Sequence, residues 1–318
     1  MLYNQSISEF IIVGFTNINH FGNLIFTFLL LLFLLIVVNN IIMIFAVIFD
    51  LKLHRPKYYF IFALSVTEVG IVFTVYPTLL PLVLKGNVTI SFHGCFAQMY
   101  TFHSLLITEN FLLSLMALDR YIAICKALRY HMIMTLGFCK VLILFCYIIG
   151  FTLSLSLLII VSRLPFCGPN TIQHVFCDSS PLLSLACANN DINIILEFII
   201  SSFTITLSSL SIVVTYINIM RSILKLKTSE ERKKAFSTCA SHLFMAIMFY
   251  GSITFMYIEL QTSYSSDYDL ATAIHHSVLM PLMSPLICSF RNREIANFLK
   301  KSFYKKRTYL RNLSDFST

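Results

Sequence analysis

The stretch MALDRYIAIC, residues 116–125, decides the fold class of this chain. It closes an apolar run that begins near Cys95, the third such run from the N-terminus. A charged Asp-Arg pair is costly inside lipid, so Asp119 and Arg120 should lie where a third helix leaves a membrane. Lys126 and Arg129 follow at once and indicate that this exit is on the cytoplasmic side.

Composition also favours a membrane protein. Hydrophobic residues make up 57% of the chain and charged residues only 12%, against about a quarter charged in soluble domains. Seven apolar runs reach the roughly 20 residues that a bilayer-spanning helix needs. They lie at 24–49, 58–84, 95–124, 139–161, 194–220, 236–258 and 269–290. No strand-like alternation is present, so we predict an all-α bundle of seven transmembrane helices, typical of a signalling receptor.

The basic residues predict the orientation. All of the Lys and Arg residues except Lys85 and Arg163 flank the turns that follow odd-numbered spans or lie in the tail. The positive-inside rule therefore predicts an extracellular N-terminus (1–23), a receptor domain (24–290) and a cytoplasmic tail (291–318). The formal charge of +8 reflects this orientation rather than a nucleic-acid partner. The tail segment 291–304 has the spacing of an amphipathic helix on membrane lipid.

The outer side carries candidate modifications. Asn4 begins a glycosylation sequon. Four cysteines also fall on this oxidising side, which favours disulfides, although the spacing alone allows three pairings. Zinc binding near His174 is the alternative. Bridges would tie the long loop at 162–191 across the bundle as a lid. The four cysteines on this side are Cys95, Cys167, Cys177 and Cys187.

Polar residues near the middle of the membrane predict a buried site. Asn40, Glu68, Glu109 and Ser284 fall at similar depth in spans one, two, three and seven. Two carboxylates close together cannot both ionise cheaply without a cation or a shared proton. A sodium ion held by Glu68 and Glu109 is one solution, and a hydrogen-bonded network without an ion is the other.

Helical spacing predicts a ligand pocket of apolar walls with few polar anchors. Its residues come from spans three, five and six. His103 is the candidate polar anchor, with a buried structural histidine as the alternative, and Glu197 is a further candidate from span five. The predicted lining is Phe102, His103, Leu106, Ile107, Asn110, Ser201, Tyr250, Ile253, Thr254 and Tyr257.

Several motifs together resemble the vertebrate olfactory receptors of the rhodopsin-like G protein-coupled family, over nearly the whole chain. KAFSTCASHL at 234–243 is the most specific, and the chain has no tryptophan where most rhodopsin-like receptors carry one in span six. The airborne-odorant branch is the more similar one. The other motifs are LHRPKYYF at 53–60, MALDRYIAIC at 116–125, FCD at 176–178, LAC at 185–187, FYG at 249–251 and PLMSPLICSFRN at 281–292.

The resemblance implies roles for matching residues. It implies the pairings Cys95–Cys177 and Cys167–Cys187, and a switch in which Asp119 holds Arg120 at rest. On activation, Arg120 would turn towards Tyr216 and an olfactory stimulatory G protein, which raises cyclic AMP. A snorkelling role for Arg120 is the alternative. The resemblance also supports a sodium ion bound at Glu68 and Glu109, and it implies a plasma-membrane location in olfactory cilia. The implied switch residues are Asp119, Arg120, Tyr121, Tyr216, Lys234, His242, Ser284, Pro285 and Cys288.

One departure concerns span seven. The family usually ends this span with Asn-Pro-x-x-Tyr, where this chain has Ser284, Pro285 and Cys288. Pro285 retains the kink, but the tyrosine hydroxyl is lost, so an odorant receptor with impaired coupling is one alternative. A different rhodopsin-like receptor for a small ligand is another. A transporter or an enzyme is disfavoured, because neither broken repeats nor a catalytic motif is present.

Overall fold

The computed structural model describes residues 8–14, 22–166, 169–187, 191–260 and 274–290. Helices dominate it. They are α1 (Gly22–Phe49), α2 (Pro56–Lys85), α3 (Phe92–Cys125), α4 (Tyr130–Ile133), α5 (Leu136–Ser162), α6 (Ser179–Ser184), α7 (Asp191–Leu224), α8 (Ser229–Leu260) and α9 (Met280–Phe290). Short strands complete the fold: β1 (Glu9–Val13), β2 (Asn87–Ser91) and β3 (Thr171–Ile172).

Within the described residues, five helices are long and apolar enough to cross a bilayer: α1, α2, α3, α5 and α7. They match the first five predicted spans to within a few residues at either end. The sixth predicted span, 236–258, lies inside α8, whose first turn carries Glu230 and Glu231 and whose apolar part is His242–Gly251. The described part of the seventh predicted span, from residue 274, forms a π-helical turn (His275–Leu279) followed by α9.

Local sequence signals explain where these helices begin and end. Pro56 is the first residue of α2, where its missing N–H costs nothing. Gly86 ends the same helix with φ of 76°, a left-handed conformation that favours glycine. Ser91 caps α3 by accepting from the Gly94 N–H, and Thr135 caps α5 by accepting from the Phe138 N–H.

Helix α3 packs closely against α5. A Cβ at Gly150 of α5 would lie 2.3 Å from Thr108 Oγ1 and 2.7 Å from the Ser104 carbonyl oxygen, so only glycine allows this approach. Ser154 of the same helix donates to the Tyr100 carbonyl at 3.0 Å. These contacts fix the depth of α3, which carries most of the predicted site residues.

A three-stranded sheet covers one end of the bundle, which we call the sheet end. Its order is β2-β1-β3, with β1 antiparallel to β2 and parallel to β3. Phe10 and Ile12 on β1 are fully buried, and the Phe10 ring stacks on Phe92 at 5.8 Å. The strand in this N-terminal segment was not predicted from the sequence. The opposite end of the bundle carries Arg120, and we call it the Arg120 end.

The predicted lid loop lies at the sheet end. It contains β3 and α6, and a disulfide joins Cys177 to Cys95 at the start of α3 with the Cα atoms 5.3 Å apart. The Gln98 side chain adds a second tie: its Oε1 accepts from the Cys177 N–H at 2.9 Å. Its Nε2 donates to the Thr78 hydroxyl at 2.8 Å. The loop is thus held by covalent, strand and side-chain contacts rather than by disulfides alone.

Candidate functional site: ligand pocket and switch

A polar cluster lies beneath the lid loop. His103 Nε2 on α3 is 2.7 Å from Asp178 Oδ1, which lies in the loop at the start of α6. The Ser179 hydroxyl is 3.3 Å from the same His103 nitrogen and donates to Glu197 Oε1 on α7. His103 therefore joins spans three and five to the lid loop. Asp178 was not among the predicted site residues, although the motif FCD at 176–178 contains it.

The charge of Asp178 is stabilised by this arrangement. Burial alone would raise the pKa of Asp178, but the charge and hydrogen bond of His103 oppose it. His174 and the Ser179 N–H add to the lowering, so the pKa of this carboxyl lies well below its usual range. Asp178 is an anion at physiological pH and makes His103 an ion-paired residue when the ring is protonated.

Apolar side chains of α3 extend from this cluster towards the middle of the bundle. The Phe102 ring lies 4.6 Å from that of Phe176 in the lid loop and is almost fully buried. Leu106 and Ile107 are half-buried, as is Ser201 on α7. The predicted stripe thus lies between the lid and the lower part of the bundle, with Phe102 packed against the lid.

Asn110 joins three spans at the lower end of this stripe. Its Nδ2 donates to the Thr204 carbonyl of α7 at 3.2 Å. Its Oδ1 accepts from the Tyr250 hydroxyl of α8 at 2.5 Å. One turn further along α3, the Ser114 hydroxyl donates to the Ser208 carbonyl of α7 at 3.3 Å. Asn110 and Tyr250 were predicted from helical spacing, but these carbonyl partners were not, since backbone acceptors leave no signature in the sequence.

The predicted acidic pair is brought together at mid-bundle. Glu68 and Glu109 are both fully buried and close enough to interact electrostatically, with Asn40 and Ser284 as polar neighbours of Glu68. None of the four carboxylate oxygens has a hydrogen-bond partner of normal geometry in the described structure. Buried acceptors of this kind suit a small cation such as sodium. The Asn40 amide itself donates to the Pro281 carbonyl at 3.1 Å and so joins α1 to α9.

At the Arg120 end, Asp119 holds two donors. Arg120 Nη2 is paired with Asp119 Oδ2, and the Tyr130 hydroxyl of α4 donates to Asp119 Oδ1 at 2.8 Å. Asp119 is 1% exposed, so both contacts compensate a buried charge. Burial and, after it, the Asp119 charge raise the pKa of Tyr130, which keeps the phenol protonated. The sequence did not predict a role for Tyr130, because its position depends on the loop conformation.

A second network joins α7, α8 and α3. His242 Nε2 is 2.9 Å from the Leu113 carbonyl oxygen, which can only accept. His242 therefore donates from Nε2 and accepts at Nδ1, where the Tyr216 hydroxyl donates at 2.7 Å. The two rings also stack with an interplanar angle of 6°. Tyr216 is thus directed at α8 in this structure, next to the predicted switch.

The remaining predicted residues divide into two groups. Tyr121 is half-buried beside Lys126, whose Nζ lies 5.8 Å from its ring centre. Ser284 and Pro285 are buried on α9. The second group lies outside the described residues or side chains: Asn4, Cys167, Lys234, Ile253, Thr254, Tyr257, Cys288 and the tail at 291–318.

The disulfide predictions have two outcomes. The pairing of Cys95 with Cys177 is confirmed, and it excludes the zinc alternative for these two thiols. Cys187 is disulfide-bonded, but its predicted partner Cys167 lies outside the described residues, so that pairing stays a prediction. Cys125, Cys139, Cys146 and Cys239 are free thiols.

Comparison with known proteins identifies the family. The family model for olfactory receptors matches residues 29–306. Human olfactory receptor 6N1 is 43% identical over 93% of this chain and 95% of its own length. Human olfactory receptor 6K3 is 41% identical over 94% and 91%, and mouse olfactory receptor 5G26 is 37% identical over 96% of both chains. This chain therefore belongs to the olfactory receptor family, a family of seven-helix membrane receptors rather than enzymes.

Proposed function

We propose that this chain binds small, mostly apolar volatile odorants inside the bundle and activates a stimulatory heterotrimeric G protein that raises cyclic AMP. The observation that carries the proposal is the Asn110 junction. Asn110 joins spans three, five and six through Thr204 and Tyr250. A ligand above it would bear on α8, the helix that also holds Tyr216 through His242.

The proposed orientation has the sheet end outside the cell and the Arg120 end in the cytoplasm. The distribution of Lys and Arg along the chain supports it. In this orientation the disulfide-linked lid loop faces an oxidising compartment. We further propose a plasma-membrane location in the cilia of olfactory neurons, with glycosylation at Asn4.

The proposed pocket has apolar walls and two polar ends. His103 and Asp178 form the upper end beneath the lid, and Asn110 and Tyr250 form the lower end. Leu106 and Ile107 supply apolar wall between them, with Ser201 across the bundle. Such a site suits a volatile molecule with a long apolar body and one hydrogen-bonding group, because few polar partners are available to compensate a more polar ligand.

The proposed switch begins with the Asp119–Arg120 pair in the resting state. Movement of α8 away from α3 would break the His242 contact to the Leu113 carbonyl and free the Tyr216 hydroxyl. Arg120 would then exchange Asp119 for Tyr216 and the G protein. The exchange is a suitable switch because a nearly buried ion pair is lost only when new partners compensate it.

We also propose that Glu68 and Glu109 hold a sodium ion, with Asn40 and Ser284 beside them. Their four orphaned carboxylate oxygens support this. A bound sodium ion would offset one of the two negative charges and hold α2 against α3 at mid-bundle. Thermal melting of the purified chain in sodium against equimolar choline tests the site. A higher melting midpoint in sodium, lost in Glu68→Gln, supports it; an equal midpoint in both salts supports the hydrogen-bonded network instead.

The test of the overall proposal is a cyclic AMP assay against a broad odorant panel, with surface level monitored. The expected result is a response that Arg120→Ala abolishes at equal surface level. Silence that Ser284→Asn with Cys288→Tyr relieves would favour the alternative of impaired coupling through span seven. A response only to a non-volatile ligand would favour the other alternative, a rhodopsin-like receptor of different ligand class.

A further inference from the structure

A groove of about 520 Å³ lies between α7 and α8. Its walls include the exposed apolar side chains of Val213 and Ile217 on α7 and Ile247 on α8. Exposed apolar side chains on helices of a membrane bundle face lipid, so the groove opens towards the bilayer. Its lining is formed by Ser209, Ile212, Val213, Tyr216, Ile217, Met220, Arg221, Leu224, Leu243, Ala246, Ile247 and Tyr250.

The hydroxyl groups of this lining already have partners. The Tyr216 hydroxyl donates to His242, and the Tyr250 hydroxyl donates to Asn110. The Ser209 hydroxyl donates at 3.2 Å to a backbone carbonyl of its own helix. The groove therefore presents mainly carbon, which suits a hydrocarbon chain, because a polar ligand would lose hydrogen bonds to water without replacement.

One end of the groove carries available positive charge. Arg221 lines this end, and Lys225 follows it by four residues, one helical turn further on. Both side chains are exposed, and among the residues that the structure describes neither forms an ion pair or a side-chain hydrogen bond. Glu230 and Glu231 in the first turn of α8 are not paired with them. An anionic group can therefore bind here without displacing a partner.

The length of the groove matches one leaflet of a membrane. Arg221 and Ser209 are twelve residues apart on α7, which corresponds to about 18 Å along a helix. The hydrocarbon of one leaflet is about 15 Å deep, half of the full core. A lipid with its headgroup at Arg221 would thus lay one chain along the groove and end it near Ser209.

We propose that this groove binds an anionic phospholipid, with one acyl chain between α7 and α8 and the phosphate on Arg221 and Lys225. Arginine and lysine both suit phosphate oxygens. The inference rests on the proposed orientation, which puts Arg221 at the cytoplasmic leaflet, where anionic lipids are concentrated. The chain would contact both helices beside the rings of Tyr216 and Tyr250. It would therefore favour the packed position of α8, and movement of α8 on activation would weaken lipid binding in return.

The absence of tryptophan from the chain allows a test at one chosen position. The full chain carrying Val213→Trp is placed in phosphatidylcholine nanodiscs, and its fluorescence is quenched with phosphatidylserine or phosphatidylcholine brominated midway along the acyl chains. Val213 is eight residues before Arg221, about 12 Å along α7. Phosphatidylserine should be preferred by about five- to 25-fold, from about five-fold for each basic residue near the surface.

A matched position reports the ordinary lipid surface. Ile41→Trp on α1 is also exposed and lies eight residues before the end of its helix, whose last turn has no basic residue. Phosphatidylserine and phosphatidylcholine should quench this tryptophan within about two-fold of each other. An equal preference for phosphatidylserine at both positions would overturn the proposal, because it would show a general attraction to the bundle and no site.

Charge variants in the Val213→Trp background test the headgroup contact. Arg221→Gln/Lys225→Gln should reduce the preference to about one, and Arg221→Lys/Lys225→Arg should retain it, which separates lost charge from misfolding. Lys52→Gln/Lys140→Gln removes the same charge from exposed positions on other elements and should leave the preference within about two-fold. An unchanged preference in Arg221→Gln/Lys225→Gln would overturn the assignment.

Competitors test the contribution of the chain. Glycerophosphoserine, the same headgroup without acyl chains, should not relieve the quenching; relief at the affinity of the lipid would mean that the groove contributes nothing and would overturn the proposal. Relief by oleate at lower concentration than by unbrominated phosphatidylserine would assign the groove to a free fatty acid and overturn the phospholipid assignment. None of these readouts needs an odorant, so their failure is distinguishable from failure of the proposed odorant response.

Discussion

The Tyr130→Phe variant tests the proposed resting state of the switch. Asp119 is almost fully buried, and its two oxygens are divided between Arg120 and the Tyr130 hydroxyl. Phenylalanine retains the ring and removes only the hydrogen bond to Asp119 Oδ1. If the Asp119–Arg120 pair belongs to the resting state, the change destabilises that state alone and raises basal signalling.

The size of the effect follows from the contact. A hydrogen bond to a charged group contributes about 1.5–3 kcal/mol. Tyr130 is only half-buried, so the lower end, about 1.5 kcal/mol, is the better choice. That corresponds to about a ten-fold shift of the equilibrium towards the active state. Basal cyclic AMP per receptor at the surface should rise by about the same factor while the resting state still dominates.

The assay is basal cyclic AMP without odorant, divided by surface level. Tyr59→Phe is the control, because Lys140 approaches the face of this ring (5.6 Å) and that contact does not need the hydroxyl. The control should signal like the parent. An unchanged or lower basal signal in Tyr130→Phe would refute the proposed resting-state role, since it would mean that the Tyr130 contact stabilises the active state at least as much as the resting state.

Three further predictions concern stability and expression. Gly150→Ala should lower the free energy of unfolding by about 1–3 kcal/mol, since the added methyl meets a backbone oxygen that cannot move away. Gly137→Ala on the same helix meets nothing within 4 Å and should be neutral. Melting followed by circular dichroism compares the two variants, and equal midpoints would contradict the packing argument. Asp178→Asn should lower the melting midpoint by an amount that is constant from about pH 6 to about pH 5 and shrinks below about pH 4. A carboxyl whose pKa is lowered in the folded state stabilises the fold above its unfolded pKa, and this stabilisation is lost in acid. A difference between variant and parent that grows in acid would contradict this prediction. Cys95→Ser should sharply reduce the receptor level at the cell surface, because the disulfide closes a separation of 82 residues and contributes up to about 4–5 kcal/mol to stability. Cys125→Ser changes a free thiol and should leave the surface level unchanged. Equal surface levels in the two variants would show that the lid loop is held without the disulfide.

The helices were predictable because they depend on local composition. The apolar runs and the position of MALDRYIAIC were enough to place five helices within a few residues of their ends. The sheet was not predictable, because β1 is a five-residue segment whose partners are distant in sequence. EFIIV at 9–13 is too short and too apolar to distinguish a strand from the edge of a helix.

The candidate site was also predictable only where it depends on local sequence. Helical spacing indicated His103 and Asn110 as inward-facing, and depth in the membrane indicated that Glu68 and Glu109 would meet. Partners contributed by loops were missed, above all Tyr130, because their positions depend on how the connecting segment folds. Sequence spacing predicts which face of a helix a residue occupies, whereas a contact between elements also requires their relative rotation.

The position of β1 in the middle of the sheet has a consequence for biosynthesis. The ribosome completes β1 before the first span, but β2 follows only after the second span and β3 only after the fourth. Both edges of this apolar strand are unpaired until β2 is made, and one edge stays unpaired until β3 is made, a form that invites pairing with other chains. A nascent receptor is therefore vulnerable to aggregation until its fourth span is inserted, and a chaperone that shields residues 9–13 during translation would raise the yield of correctly assembled protein.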